Sequence, residues 1–439
     1  MQNISTPNIS KIKPAIGSYY HFAVYHHKLV VGDNRLIQRN FVVIKDENND
    51  IVCFTKLHKY IHSRRKNAAK SISDDGNNRF IFVSQFLNYI LIRNYSKYGI
   101  DKICDFTYQS IQDFFYDYGS LDENGYGRTK ITVDRCCESV MSFLAEYIKT
   151  HSLRCKLRLG DIIEDATYIT KRGIRKTYKI PKFEIIYSGV SKEILRDMPD
   201  SVFQMILSYS MTYYKEILML IALSAFTGMR PAEACNVRQE ISPLGSGIII
   251  SKLNNRVNSI SIDLRSEMVL RSDLKSVGCI KKERMQKVYS KFITPFMQCY
   301  KIYLEYIADK KYEKEYCPLS INRWGKAMTY NSYRQIFNTM IAEMQPLMFN
   351  SENEQIQEFG HLLLEHHISP HIFRHWFSVR LTILGESAAT LKYWRGDKNP
   401  ESAITYLQNK SELSYKFKEI NNDLFDAMLE FSIRRKDQL

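Results

Sequence analysis

The chain has 439 residues, room for two or three domains of ordinary size, and 44% of them are hydrophobic, enough for sizeable cores and against wholesale disorder. Lysine and arginine number 62 against 47 acids, giving a formal charge of +15 and a pI near 9.2. A surplus of that size points to a polyanionic partner, nucleic acid being the commonest.

Nine scattered cysteines, an odd number with no CxxC pair, suit free thiols in a reducing cytosol better than a disulfide framework or a zinc site. The opening "MQNISTPNISKIKP" lacks the apolar stretch of a signal peptide. The longest apolar run, "ILMLIALSAF" (Ile217 to Phe226), is too short to span a bilayer and predicts a buried helix.

In chain order, "NFVVIKDENNDIVCFTKL" predicts a hairpin around Asn48–Asp50, within a small N-terminal module over residues 1–74. The run that follows holds Arg64, Arg65 and Lys66 without an acid, as expected of an arm that contacts phosphates. Asp74–Asn78 breaks the chain before a helix in which Phe80, Val83, Phe86, Leu87, Ile90 and Leu91 recur at helical spacing. Thr107 is the expected cap of "YQSIQDFFYDYG", and Thr132 to Ile148 forms a further helix. These helices predict a compact domain over residues 75–180. Its last part is a basic connector of short strand-like pieces carrying Lys171, Arg172, Arg175 and Lys176 as candidate DNA contacts. From residue 181 to 439 the chain reads as mostly helical, interrupted by a strand pair, "GIIIS" and "SISIDL", across the turn "KLNNRVN". Phosphate-binding and dinucleotide-binding glycine motifs are both absent.

Chemistry on a phosphodiester needs cations for the non-bridging oxygens, a nucleophile, and a proton donor for the leaving oxygen. Arginine suits the first task, because its planar fork gives two parallel hydrogen bonds and keeps its charge. The apolar helix ends in "SAFTGMRPAEACNVR", where Thr227 and Gly228 stop it and Arg230 precedes Pro231, a favoured first-turn residue. Glu233 lies one helical turn from Arg230. The strand-pair turn carries Lys252 and Arg256, and "HIFRH" carries His371 and Arg374.

Taken in order, "TGMRPAE", a lysine on a β-turn, "HIFRH" and a tyrosine after a glycine-containing turn resemble the tyrosine recombinase (phage integrase) family. The family pattern is an arginine in T-G-x-R-x-x-E, a hairpin lysine, H-x-x-R, a His or Trp after glycine, and a tyrosine nine residues on. Here "RGDKNPESAITY" sets Asp397 at the His/Trp place, and 406 − 397 = 9 sets Tyr406 at the nucleophile's place.

The resemblance implies a mainly α fold with a small β-hairpin sheet in the catalytic domain (α+β), preceded by a helical core-binding domain, the two clamping DNA as a C. It implies that Tyr406 attacks the scissile phosphate to give a 3′-phosphotyrosyl link, that Arg230 and Arg374 hold the non-bridging oxygens, that Lys252 protonates the leaving 5′-oxygen and that His371 assists proton movement. Glu233 orients Arg230. Neither ATP nor a metal is implied, since the covalent link conserves the phosphoester bond. The implied partners are double-stranded DNA, a homotetramer on paired sites with a dimer per site, and accessory bending or directionality proteins, with no membrane and a cytoplasmic, nucleoid-associated location.

Several alternatives stand beside these assignments. Tyr393 and Tyr415 flank Tyr406, Arg256 competes with Lys252, and Asp397 departs from the family pattern, with Lys398 or Trp394 as substitutes. Two rival functions are a DNA-binding protein of this fold without cleavage and a metal enzyme built on His361, His366, His367, His371 and His375, against which Pro370 breaks the helix. A type IB topoisomerase would share the chemistry. Leu424, Met428 and Phe431 fall on one face of a tail helix suited to docking on a neighbouring protomer.

Overall fold

The computed structural model describes residues 20–32, 34–61, 75–122, 124–169, 173, 175–189 and 198–396. The chain divides into two compact units, Met1–Leu29 with Ile37–Ser191, and Val30–Leu36 with Lys192–Leu439. The fold is mainly α with small antiparallel sheets.

β1 (His21–Val31), β2 (Arg35–Lys45) and β3 (Ile51–Phe54) form a sheet in that order, all of it in the first unit except the end of β1 and the start of β2. β2 and β3 pair antiparallel across the expected turn, where the Asp46 carboxylate accepts from the amides of Asn48 and Asp50 at 3.0 and 2.9 Å. β1 has no counterpart in the sequence expectations.

The helices are α1 (Asp75–Asn88), α2 (Tyr95–Tyr98), α3 (Tyr108–Gly119), α4 (Lys130–Thr150) and α5 (Leu159–Ile162). All six apolar residues expected on one face from Phe80 to Leu91 are buried, the last two in a π turn that extends α1. Thr107 caps α3 as expected, its hydroxyl accepting from the Ser110 amide at 3.2 Å. Phe22, Val42 and Ile44 of the sheet share one core with α1, α3 and α4. The basic connector is a regular two-stranded ribbon of β4 (Ile163–Ile169) and β5 (Arg175–Pro181), paired from Ile163↔Pro181 to Ile169↔Arg175.

In the second unit, α6 (Asp200–Tyr213) and α7 (Lys215–Thr227) are followed by the single turn α8 (Pro231–Ala234). Every residue of α7 from Ile217 to Thr227 is buried, because α6, α9 and α12 surround it; each such Leu or Ile contributes roughly 1.5–3 kcal/mol through burial. β6 (Ile248–Leu253) and β7 (Arg256–Leu264) are the expected strand pair, turning at Asn254 and Asn255, both with positive φ. β8 (Arg284–Lys287) adds a third antiparallel strand beside β7, pairing Ile262 with Gln286 and Leu264 with Arg284.

The remaining helices are α9 (Ile293–Ile307), α10 (Tyr330–Phe349), α11 (Glu354–Glu365), α12 (His371–Ile383) and α13 (Ala388–Arg395). Trp376 of α12 stacks on Phe203 at 4.0 Å and donates to the Asp200 carboxylate at 2.8 Å, fixing α12 against α6. Among the described residues no helix is long and apolar enough to cross a membrane.

Candidate active site

The corner between α7 and α8 is set by its residue types. The Thr227 hydroxyl donates to the Leu223 carbonyl at 2.6 Å and accepts from the Met229 amide at 3.2 Å. Gly228 then takes φ +70, and a Cβ there would lie 2.6 Å from the Phe377 ring, so only glycine fits. Arg230 is extended (φ −72, ψ 142), as a residue before proline must be, and Pro231 opens α8.

Glu233 is fully buried and accepts from the Arg230 amide and guanidinium, both at 3.2 Å. The Arg284 guanidinium grips the same carboxylate two-pronged at 2.9 and 3.3 Å, and the Lys281 amide donates to it at 3.3 Å. Burial alone would raise the Glu233 pKa; the Arg284 hydrogen bond and the charges of Arg284 and Arg230 outweigh it and hold the carboxyl below its ordinary value.

Pro370 precedes α12, whose first residue is His371; one turn on is Arg374, only 4% exposed. The Arg374 Nη1 donates to the Gly228 carbonyl and, at 2.8 Å, to the Arg395 carbonyl. His371 therefore lies among cations. Burial first, then the charges of Arg374, Arg230 and Lys281, push its pKa down to about 4, against only a small opposing pull from Glu233. At neutral pH this imidazole is uncharged.

α13 closes the site. Arg395, also buried, donates to the Ser378 hydroxyl at 2.6 Å. Gly396 follows with φ +61, and a Cβ there would lie 2.8 Å from the Arg284 guanidinium. Gln286, next but one along β8, donates at 2.9 Å to both the Thr227 and the Trp394 carbonyls. Arg230, His371 and Arg374 thus meet around the Thr227–Gly228 turn, with Lys281, Arg284 and Arg395 beside them and Glu233 as the counter-charge of Arg230 and Arg284. Arginines gathered in this way can pair with an anion that carries several oxygens, through whichever of their donors are not already bonded within the protein.

Lys252 and Arg256 are exposed on either side of the β6–β7 turn, with a register irregularity between Ser251 and Lys252. Arg175 is exposed on β5, and Lys176 follows it opposite Tyr168. Tyr406, Asp397, Arg64, Arg65, Lys66, Lys171 and Arg172, with the alternatives Tyr415 and Lys398 and the tail helix, fall outside the described residues. Tyr393 is 65% exposed on α13, whereas Trp394 packs edge-on against Tyr289.

The five histidines do not share one helical face, since α11 ends at Glu365 and α12 begins after Pro370. Among the described residues no group of three His, Cys, Asp or Glu side chains is arranged to hold a metal ion.

Sequence reasoning missed Lys281, Arg284, Gln286 and Arg395. The signal for the first three was the charge-dense "KKERMQK", with Arg284 and Gln286 two apart on one strand face; Arg395 stood inside the quoted "RGD" stretch.

No family model matches the chain, and no curated protein matches it either. Among solved structures, the chain is similar to the Tn1549 transposon integrase in complex with transposon right end DNA: 14% identity, TM-score 0.46, covering 86% of this chain and 98% of that one. It is also similar to the XerH site-specific recombinase bound to its difH substrate, at 14% identity and TM-score 0.44, covering 75% and 76%. A lambda integrase dimer bound to a COC′ core site gives 11% and 0.42, covering 80% and 92%.

Proposed function

We propose that this chain is a site-specific DNA recombinase that cuts and rejoins double-stranded DNA through a 3′-phosphotyrosyl intermediate. The observation that carries the proposal is the meeting of Arg230, His371 and Arg374 around the Thr227–Gly228 turn, residues that stand in the sequence in the order and spacing that lead to Tyr406.

In this mechanism the Tyr406 oxygen attacks the scissile phosphorus and the bond to the 5′-oxygen breaks. Arg230 and Arg374 hold the two non-bridging oxygens as charge grows on them. Glu233 keeps the Arg230 guanidinium in place. His371, uncharged at neutral pH, takes the proton that the phenol loses as its oxygen attacks. The displaced 5′-oxygen takes a proton from a lysine. A 5′-hydroxyl from the partner strand then reverses the chemistry on the phosphotyrosine, so no nucleotide is consumed. Four protomers on two DNA sites complete the exchange.

Lys252 is the proton donor that the sequence order suggests. The position of Lys281, with its amide on Glu233 and its charge felt by His371, favours Lys281 instead. A sulfur at the 5′ leaving position needs no proton. Lys281→Ala should therefore be slow on ordinary DNA and restored on the sulfur-bridged substrate; restoration of Lys252→Ala alone would reverse the assignment.

The function is tested with a plasmid carrying two copies of the native DNA that flanks the coding region, incubated with purified protein, EDTA and no nucleotide. Recombinant junctions are the expected result. Sequence-specific binding without any junction, on intact or nicked DNA, would leave a DNA-binding protein of this fold.

A further inference from the structure

We propose that Arg284 is a positioning residue, which locks the Arg230 corner to the turn at Gly396 and so holds the phosphate-binding arginine in its working geometry. The proposal rests on the function proposed above.

Arg284 sits on β8 with its side chain 10% exposed, and each of its three guanidinium nitrogens donates within the protein. Nη2 and Nη1 go to the two oxygens of Glu233, Nη1 also reaches the Lys282 carbonyl at 2.8 Å, and Nε donates to Gln286 at 2.7 Å. The same two Glu233 oxygens hold the Arg230 amide and guanidinium, so one carboxylate joins the two arginines rigidly. On its other side the Arg284 guanidinium lies so close to Gly396 that a Cβ would stand 2.8 Å from its Nε and Cζ. One planar group therefore touches both the partner of Arg230 and the point where the chain leaves α13. Gln286 repeats the link from the same strand face, bonding Thr227 at the corner and Trp394 before the turn. Lysine could supply the charge of Arg284 but not its two-pronged grip, and glutamine could supply neither.

The experiment compares Arg284→Gln, Arg284→Lys and Gly396→Ala with wild type on a nicked DNA site that traps the covalent adduct, at saturating DNA and well below each melting temperature. Site affinity and the slope of affinity against salt should be unchanged. Single-turnover adduct formation should fall on the order of 10²-fold in Arg284→Gln, as expected for a misplacement of about 1 Å, with Arg284→Lys intermediate. Because Arg284 acts through Glu233, the double variant Arg284→Gln with Glu233→Gln should be no slower than the slower single variant.

Wild-type rates in Arg284→Gln and Arg284→Lys would overturn the proposal and leave the recombinase function standing. A salt slope reduced by about 0.9 would overturn it by making Arg284 a DNA phosphate contact, and so would multiplicative losses in the double variant. Absence of an adduct from wild type would remove the function and the proposal together. Should Arg284→Gln fail to fold, Arg284→Lys, which keeps a cation beside Glu233, carries the test alone.

Discussion

His371 begins α12 in a setting that penalises its own charge. Its pKa, ordinarily 6.5, is pushed down to about 4 by burial and by the Arg374, Arg230 and Lys281 charges. In the unfolded chain the imidazole would protonate at its ordinary value. Between about pH 6.5 and 4 the unfolded state thus binds a proton that the folded state refuses, so stability should fall as the pH drops through that window. Urea midpoints measured across it should decline in wild type and decline less in His371→Asn; identical slopes would show that His371 titrates normally. The same field has a functional side. Entry of a phosphodiester would offset the surrounding arginines and raise the pKa towards the range where an imidazole can shuttle protons.

Among elements, the corner between α7 and α8 was the most legible in the sequence, because each of its turns is enforced by a residue type that admits few alternatives. Gly228 illustrates this. In Gly228→Ala the left-handed backbone would cost about 1–2 kcal/mol, and the new Cβ would stand against Phe377, behind the carbonyl that Arg374 binds. Thermal melts should show a destabilisation larger than that backbone cost, with covalent adduct formation lost below the melting temperature; a variant that melts and reacts as wild type does would refute the role of the turn. The helical core of the first unit was legible for a related reason, since the Phe80–Leu91 spacing leaves one face to bury. β8 was not legible. Arg-Met-Gln-Lys has little intrinsic preference for strand, and it is extended because β7 offers a ladder to pair with. The partner of Arg284, moreover, lies 51 residues earlier in the chain, a distance over which local pattern carries no information.

For the molecule as a whole, under the proposed function, a net charge of +15 would make DNA affinity a matter of counterion release. The exposed ribbon of β4 and β5 is a natural contributor. Arg175 and Lys179 lie four apart on β5, both exposed, although Asp165 faces Lys179 across the ladder. If Arg175 meets a phosphate, Arg175→Ala should lower the slope of log affinity against log salt by about 0.9, without altering the rate of the bound complex; an unchanged slope would remove the ribbon from the DNA interface.

In the proposed mechanism the cations around the Gly228 turn act only if Tyr406 reaches the phosphate that they would hold. The most direct measurement is covalent capture: the protein is expressed beside its native flanking DNA, lysed into strong detergent, and the DNA that remains attached to protein is sequenced at its ends while the modified peptide is mapped. The expected result is a 3′-phosphotyrosyl adduct on Tyr406 at defined sites, absent from Tyr406→Phe. An adduct on Tyr393 or Tyr415, or site-specific binding with no adduct even on nicked DNA, would contradict it.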